Sequence, residues 1–174
     1  MENKIIECLV DRRSVRAYSS KQISEEQLEQ ILQAGMYAPS GMGRQPCVMV
    51  AVQDPETVRL LSRLNARVLG SEGTDPFYGA PTVIVVLADK SSFTYLEDGS
   101  LVMGNLMNAA HAIGVDSCWI HRAKETFESK EGKDLLKKWG ISGDYVGIGN
   151  CILGYRSGPY PTARQRKSNF IYRV

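Results

Sequence analysis

Helical periodicity dominates the first quarter of the chain. Apolar residues recur at helical spacing in Lys4–Val10, which predicts a first helix that ends at an arginine-rich turn. Ser24–Gln27 has the pattern of a capping box, in which a serine and a glutamine three residues later satisfy the first backbone N–H groups of a helix. This second helix is expected to end within Gly35–Pro39, and a loop containing glycine and proline, Pro39–Pro46, follows it.

Short apolar runs rich in β-branched residues predict four strands, at Cys47–Val52, Thr82–Ala88, Val115–Ile120 and Tyr145–Leu153. Helical patterns separate these runs: one opened by Asp54-Pro55-Glu56, one apolar on nearly all sides at Asp98–Ile113, and one amphipathic surface helix at Lys124–Trp139. Gly70–Pro81 is rich in glycine and proline and predicts a mobile loop, and the chain ends on a β-prone stretch, Phe170–Val174.

Helices come first and then alternate with strands, which predicts an α+β fold with a central, mostly antiparallel or mixed sheet flanked by helices. The length of 174 residues fits a single domain, 1–174. Residues 155–174 form a polar, basic C-terminal tail that is too long to lie inside one small core. We expect this tail to extend away from the domain.

Composition narrows the class of protein. Charged residues make up 23% of the chain and hydrophobic residues 43%, which argues for a folded core and against disorder. The apolar runs are too short to span a bilayer and no signal-peptide pattern is present, so we expect a cytoplasmic protein without a membrane segment. The four cysteines are scattered, which predicts free buried thiols, and the single Cys118–His121 pair does not by itself predict a metal site.

Charge is distributed unevenly along the chain. All 19 acidic residues lie within the first 144, together with 16 basic ones, whereas the last 30 residues carry five basic residues and no acidic one. A second basic group, the N-terminal arginine cluster, consists of Arg12, Arg13 and Arg16. Such clusters indicate an anionic partner: a phosphate, a nucleic acid or an acidic surface. Guanidinium groups suit an organic phosphate, because they bind its oxygens in pairs and keep their charge.

Familiar nucleotide-binding motifs are absent. Gly132-Lys133 is followed by Asp134 rather than Ser or Thr, and Gly147-Ile148-Gly149 lies inside a strand run rather than at a turn before a helix. A nucleic-acid-binding module that uses the basic tail and its interspersed aromatic residues is an alternative. The overall pI of about 8.3 and the lack of a known DNA or RNA motif argue against it.

The sequence Arg12–Tyr18 (RRSVRAY) resembles the opening of the FMN-dependent nitroreductase family. Six further segments resemble that family in the same order along the chain: Ser24–Leu28, Ala38-Pro39-Ser40 with Gln45-Pro46, Tyr78–Pro81, Asn105–Gly114, Cys118-Trp119-Ile120, and Ile152–Tyr155 before a basic tail. Each segment alone is a weak signal, but the ordered set covers nearly the whole chain.

The resemblance implies an intertwined homodimer that binds FMN at its interface, with the swapped C-terminal tail reaching the partner subunit. It implies that the flavin phosphate and the N1/C2 edge of the ring are held by Arg12, Arg13, Ser14 and Arg16. It implies that the phosphate site is completed by Arg164, Arg166 and Lys167. The second subunit is expected to contribute Pro39, Ser40 and Gln45 beside the ring.

Other ring contacts follow from the same resemblance. Asn65 and Asn105 are candidates for hydrogen bonds to the ring edge. The backbone of Trp119, Ile120 and His121 is expected to lie against the ring, with an N–H near N5, although Trp119 fits a core position equally well. From their positions in loops, and not from the resemblance, Met42, Arg44, Phe77 and Tyr78 are expected to line the open face where substrates stack.

The implied activity is a transfer of two electrons from NAD(P)H through FMN to a nitroaromatic, quinone or similar flat acceptor, in ping-pong order and without a protein nucleophile. Cys47 replaces the aromatic residue common after the Gln-Pro pair, and Gly43 stands where relatives often have Asn or Ser. These departures leave the acceptor open, as they do the preference for NADH or NADPH. A flavin-binding dimer without reductase turnover is a further alternative.

Overall fold

The computed structural model describes residues 3–174, and four strands, six α-helices and a short 3-10 helix (Gly41–Gly43) make up the regular structure of this range. The helices are α1 (Lys4–Asp11), α2 (Glu25–Met36), α3 (Pro55–Leu69), α4 (Tyr95–Ala112), α5 (Ala123–Glu128) and α6 (Lys130–Lys138). The strands are β1 (Cys47–Val52), β2 (Thr82–Asp89), β3 (Asp116–Ile120) and β4 (Tyr145–Gly154). All four strands lie where the hydrophobic pattern predicts them.

The strands form one antiparallel sheet in the order β1-β2-β4-β3. Val50 of β1 pairs with Val85 of β2, and Val85 in turn pairs with Asn150 of β4. The outer edge of β3 is partly covered, because the N–H of Val15 donates to the carbonyl of Ser117 at 3.1 Å. Within residues 3–174, the outer edge of β1 pairs with no strand.

Helices cover both faces of the sheet, which confirms the predicted α+β architecture. One face of the central strand β2 packs with α3, α5 and α6, through Val83, Val85 and Leu87. The opposite face packs with α2 and α4, through Ile84, Val86 and Ala88. Because β2 is buried on both faces, its sequence is continuously apolar rather than alternating. No helix within residues 3–174 combines the length and the apolar character needed to cross a membrane.

Side-chain caps set the starts of α2 and α3 as predicted. Ser24 accepts from the N–H of Gln27 at 3.2 Å, and the Gln27 side chain accepts from the Ser24 N–H at 3.1 Å. Asp54 accepts from the hydroxyl of Thr57 at 2.6 Å and from its N–H at 2.8 Å, and these two bonds lower the pKa of the Asp54 carboxyl group. Such caps stabilise a helix because its first N–H groups have no intrahelical acceptor.

The prediction of one helix at Lys124–Trp139 was wrong, because Ser129 interrupts it. Ser129 has an extended backbone, donates its hydroxyl to the carbonyl of Thr126 at 2.7 Å, and accepts from the N–H of Gly132 at 3.1 Å. Its side chain therefore ends α5 and caps α6. The hydrophobic period runs through this position, so the break is invisible in the pattern.

Two irregular segments have features that the pattern does not show. Gly70–Pro81 contains no helix or strand, but Asp75 closes it by accepting from the N–H groups of Phe77 and Gly79 at 2.9 and 2.7 Å. The β-prone stretch Phe170–Val174 is not a strand in the protomer, and its large apolar side chains are exposed. A strand needs a neighbour, and the protomer offers this stretch none.

Candidate functional site

The N-terminal arginine cluster lies where the end of α1 meets the start of β3. Ser14 and Ser117 form a parallel bridge at this junction. The Nη1 atom of Arg12, the Nε atom of Arg13 and the Oγ atom of Ser117 are all buried, and none has a hydrogen-bond partner within residues 3–174. Buried polar groups in folded proteins are almost always satisfied, so three unsatisfied groups at one junction are what a site for a ligand with acceptor atoms would leave in the unliganded protein.

Electrostatics at this junction favour an anion. Burial raises the pKa of the Cys118 thiol. The charge of Arg16, a hydrogen bond from Ser14 and the charge of Arg12 each oppose that rise. These three residues therefore lie close enough to act on the same sulfur atom. Within residues 3–174, Arg12, Arg13 and Arg16 form no ion pair, and the carboxylate of Asp116 is paired with Arg156, whose Nη1 lies 3.1 Å from Asp116 Oδ1. The positive charge of the arginine cluster is therefore not neutralised by the protomer.

The first part of the C-terminal tail is bound to this junction. The backbone N–H and the guanidinium of Arg156 donate to Asp116, at 2.9 and 3.1 Å. The hydroxyl of Tyr160 accepts from the N–H of Arg13 at 2.8 Å and donates to the carbonyl of Asp11 at 3.0 Å. The two basic ends of the sequence thus meet through Tyr160, across 147 positions of the chain.

The distal tail, residues 161–174, behaves differently. Arg164, Arg166 and Lys167 are exposed, and within residues 3–174 they form no ion pair or side-chain hydrogen bond. The structure therefore does not bring these three side chains into the N-terminal arginine cluster of their own protomer. The tail is predicted to extend away from the domain from residue 155. Residues 155–160 contact the same chain, so residues 161–174 are the part that can extend.

A second cluster of predicted residues lies in the loop between α2 and β1. The hydroxyl of Ser40 accepts from the N–H of Gln45 at 3.0 Å. Met42 and Gln45 have positive φ angles of 55° and 50°, which are strained for residues with a side chain. Strain of this kind persists only where surrounding contacts impose it, and it concentrates at functional sites.

Asp98, in the first turn of α4, imposes that loop conformation. It is 3% exposed, and its carboxylate accepts from the N–H of Gly41 at 2.9 Å and from the hydroxyl of Thr94 at 2.9 Å. Position 41 also requires glycine, because a Cβ atom there would lie 2.2 Å from Thr94 Oγ1.

Replacing Asp98 with alanine should lower the free energy of unfolding by roughly 1–3 kcal/mol, since it leaves the Gly41 N–H buried without an acceptor. Asp98→Asn should recover most of this loss, because its amide oxygen still accepts from Gly41 and its NH₂ group can donate to Thr94. Urea unfolding at fixed protein concentration measures both values, with the exposed Asp134→Ala as the control. Equal stability of the alanine and wild-type proteins would remove Asp98 from this role.

Helix α4 separates the two clusters within one protomer. The loop binds at Asp98 near the start of α4, whereas Tyr160 stacks on His111 near its end, with the ring centroids 6.0 Å apart. The 13 positions from Asp98 to His111 correspond to about 20 Å at 1.5 Å per helical residue. Pro39, Ser40 and Gln45 therefore lie far from the arginine cluster of the same chain.

The two candidate asparagines have contacts inside the protomer. Asn65 is fully buried, donates to the carbonyl of His121 at 2.7 Å and accepts from Arg122 Nε at 3.0 Å. Through these two bonds Asn65 holds the turn between β3 and α5, and its contact with a ring edge stays a prediction. Asn105 donates to the carbonyl of Ala34 at 2.9 Å and joins α4 to α2.

Strand β3 ends at Ile120, just before the turn that leads into α5. Ile120 is buried, and Trp119 is partly buried with its indole against Gly149, which is a packing position. His121 is exposed at the end of the strand.

The four residues expected on the open face are separated by burial. Phe77 is 1% exposed and belongs to the core, so its side chain is not free to stack on a substrate. Met42 is 88% exposed, and Arg44 and Tyr78 are also exposed. Phe77 was assigned to the open face from its place in a glycine-rich segment, and Asp75 turns it inward.

A family model described as the nitroreductase family matches residues 9–155 of this chain, which include the arginine cluster, the 39–46 loop and all four strands. The chain belongs to the nitroreductase family.

Individual members are similar over nearly their whole length. A protein of Archaeoglobus fulgidus, named as a proposed NADH dehydrogenase/NAD(P)H nitroreductase, is 34% identical over 157 residues, which cover 86% of this chain and 85% of that protein. The crystal structure of a nitroreductase with bound FMN from Bacteroides fragilis has a TM-score of 0.92 at 30% identity and covers 99% of this chain and all of that one. An FMN-dependent nitroreductase from Clostridium difficile has a TM-score of 0.84 at 28% identity, with both chains fully covered.

Within the nitroreductase fold, sequence reasoning missed Ser117, Asp98 and Tyr160. Asp98 reads as an ordinary acidic residue in the first turn of a helix, and Ser117 as a small residue in a strand. In the sequence, Tyr160 is one of several aromatic residues interspersed in a basic tail. Their roles depend on partners far away in sequence, for which a local pattern carries no signal.

Proposed function

We propose that this protein is an FMN-dependent NAD(P)H oxidoreductase that works as a homodimer. The observation that carries the proposal is the set of buried, unsatisfied donors on Arg12 and Arg13 beside Ser117, at an uncompensated positive junction. The family and the FMN named for its solved members support the same ligand. Free thiols at all four cysteines and the use of NAD(P)H agree with a reducing, cytoplasmic setting.

The residues present suit the phosphate group of FMN. Guanidinium N–H groups form short, charge-assisted hydrogen bonds with phosphate oxygens, and a serine hydroxyl adds a neutral donor. We assign the phosphate to Arg12, Arg13 and the hydroxyls of Ser14 and Ser117. Arg16, exposed beside them, is assigned to the N1/C2 edge of the ring. Main-chain N–H groups of Trp119–His121 are the candidates for the N5 region.

A second copy of the chain would complete this site. The loop with Pro39, Ser40 and Gln45 is too far along α4 to reach the arginine cluster of its own protomer, so the second copy must supply it. Two exposed surfaces support such an assembly. None of the apolar side chains of α1 is buried in the protomer, with Ile5 71% exposed, and the edge of β1 has no neighbour within residues 3–174.

The distal tail fits the same assembly. Phe170, Ile171 and Tyr172 are β-prone residues with exposed side chains, and an extended segment of this kind can pair with an open sheet edge. We propose that residues 161–174 reach the second copy, where Arg164, Arg166 and Lys167 add to its phosphate site. The tail leaves its own protomer only after Tyr160.

Deleting residues 161–174 should shift the protein from dimer towards monomer and reduce FMN retention by at least tenfold, because each copy loses a contact of its partner. Sedimentation velocity and flavin absorbance measure the two effects on one sample. The cut leaves Tyr160 in place, so the arginine cluster keeps its intramolecular support. A truncated protein that remains a flavin-bound dimer would contradict the assigned role of the tail.

The chemistry supplied by bound FMN is two-electron transfer, from NAD(P)H to N5 and then to a nitroaromatic, quinone or similar flat acceptor, in ping-pong order. The chain's own residues bind and orient the reactants. The strained loop presents Met42 and Arg44 to solvent, and Tyr78, with a positive φ angle of 54°, is also exposed. We assign these side chains to the stacking face.

An absorption spectrum and a turnover assay test the proposal. The purified protein should be yellow, should release FMN rather than FAD on denaturation, and should oxidise NAD(P)H when menadione or a nitroarene is added. A colourless protein that does not take up FMN would refute the proposal. Bound FMN without NAD(P)H oxidation would favour the alternative, a flavin-binding dimer without reductase turnover.

A further inference from the structure

Tyr160 joins the tail to the arginine cluster through a hydrogen bond with Arg13. Its hydroxyl lies 2.8 Å from the Arg13 amide nitrogen, 3.0 Å from the Asp11 carbonyl oxygen and 3.4 Å from Nδ1 of His111. Its ring stacks on the His111 ring with 7° between the planes. The Cζ atom of Arg156 lies 5.0 Å from the centroid of the Tyr160 ring. The hydroxyl position is therefore fixed from several directions.

The backbone that Tyr160 contacts has little other support. Helix α1 has eight residues, buries none of them in the protomer and has no basic residue in its last turn. Helices this short are marginal without tertiary contacts, and their last carbonyl groups have no intrahelical donors. Tyr160 supplies a donor for the Asp11 carbonyl, and the Arg13 side chain supplies one for the Val10 carbonyl at 2.7 Å.

We propose that Tyr160 is a positioning residue for the phosphate site: its hydroxyl fixes the backbone of residues 11–13 and so aims the Arg12 and Arg13 guanidinium groups. This inference rests on the proposed function, in which those groups hold the FMN phosphate. It makes the root of the tail a part of the cofactor site of the same protomer. Binding linkage then works in both directions, so a bound phosphate also stabilises the contact between Tyr160 and Arg13.

The variant Tyr160→Phe tests the role of the hydroxyl, because it keeps the ring and its two stacking contacts. Tyr155→Phe is the matched control: it removes a neighbouring tyrosine hydroxyl that donates to Gln27 at 2.6 Å, away from the arginine cluster. Flavin is removed from each protein, which is then titrated with FMN and with riboflavin, the same molecule without the phosphate. Amide hydrogen exchange at Arg13 is measured in the flavin-free proteins.

For Tyr160→Phe we expect FMN affinity to fall about 5- to 20-fold, the loss typical of one hydrogen bond that supports a charged contact, with riboflavin affinity within about twofold of wild type. Exchange at the Arg13 amide should become at least about tenfold faster, because its acceptor is gone. Tyr155→Phe should change none of these values.

Three results would overturn the inference. FMN affinity could stay unchanged in Tyr160→Phe while Arg12→Ala loses it, in which case the phosphate site stands and Tyr160 does not position it. FMN and riboflavin affinities could fall equally, which would make the hydroxyl a general support of the fold. Exchange at Arg13 could stay slow, which contradicts the contact itself. If wild type binds neither flavin, the proposed function fails, and the exchange measurement still tests the contact.

Discussion

Replacing Arg12 with alanine should weaken FMN binding about 30- to 100-fold while leaving the flavin-free protein no less stable. A hydrogen bond between a charged donor and a charged acceptor contributes roughly 1.5–3 kcal/mol, and about 1.4 kcal/mol corresponds to a tenfold change in affinity. In the flavin-free protein the same Nη1 atom is buried without a partner, which costs free energy rather than contributing it. Binding and stability should therefore change in opposite directions, as expected of a residue retained for a ligand.

Titration with FMN and riboflavin, together with thermal unfolding of the flavin-free protein, measures these changes. Riboflavin affinity should change by less than about threefold, because the lost contact is with the phosphate. Arg12→Lys should lie between wild type and alanine, since lysine keeps the charge but not the planar pair of donors. Arg59→Ala, an exposed arginine on α3, is the control and should leave both affinities unchanged.

The assignment of the phosphate would fail if Arg12→Ala and Arg13→Ala both kept wild-type FMN affinity. It would also fail if both lost riboflavin as strongly as FMN, because the arginines would then act on the ring or on the fold. A fall in the melting temperature of flavin-free Arg12→Ala would show that the side chain already has a stabilising partner in the protomer.

Local sequence signals predicted most of the fold because most elements are defined by local physics. The caps at Ser24 and Asp54 and the apolar run of β2 set their own boundaries to within one residue. The helix predicted at Lys124–Trp139 failed because its break depends on the hydroxyl of Ser129, and serine is also an ordinary residue on a helix surface. The β-prone C-terminal end is not a strand in the protomer, because strand propensity is realised only beside another strand.

The candidate site was predictable only in part, for a related reason. The arginine cluster is contiguous in sequence, so its charge and its family pattern could be read directly. Asp98, Ser117 and Tyr160 act through partners at 57, 103 and 147 positions' distance in the chain. Asn65 shows the converse: its residue type gives no sign that its side chain also holds the turn at His121. Residue type predicted the chemistry available, and tertiary contacts decided which groups remain free.

The turn at His121 leads into α5, whose first residue lies directly on Gly147 of β4. A β-bulge at this point places Leu87 opposite Gly147 and Val86 opposite Gly149. A Cβ atom at position 147 would lie 2.3 Å from the carbonyl oxygen of Ala123 and 2.4 Å from its carbonyl carbon. Because the clash is with backbone rather than with a flexible side chain, α5 would have to move away from the sheet.

We therefore expect Gly147→Ala to lower the free energy of unfolding by roughly 2–4 kcal/mol, the upper range for overpacking a core. For a chain of this size that loss corresponds to a fall of about 4–16 °C in melting temperature. Urea unfolding of the flavin-free protein at one fixed concentration measures the effect, with Gly158→Ala as the control, since a Cβ atom there meets nothing within 4 Å. A loss below about 0.5 kcal/mol would mean that α5 does not pack against Gly147. The turn between β3 and α5 is joined to α5 through Ala123. Its proposed position beside the flavin ring would then have to be reconsidered.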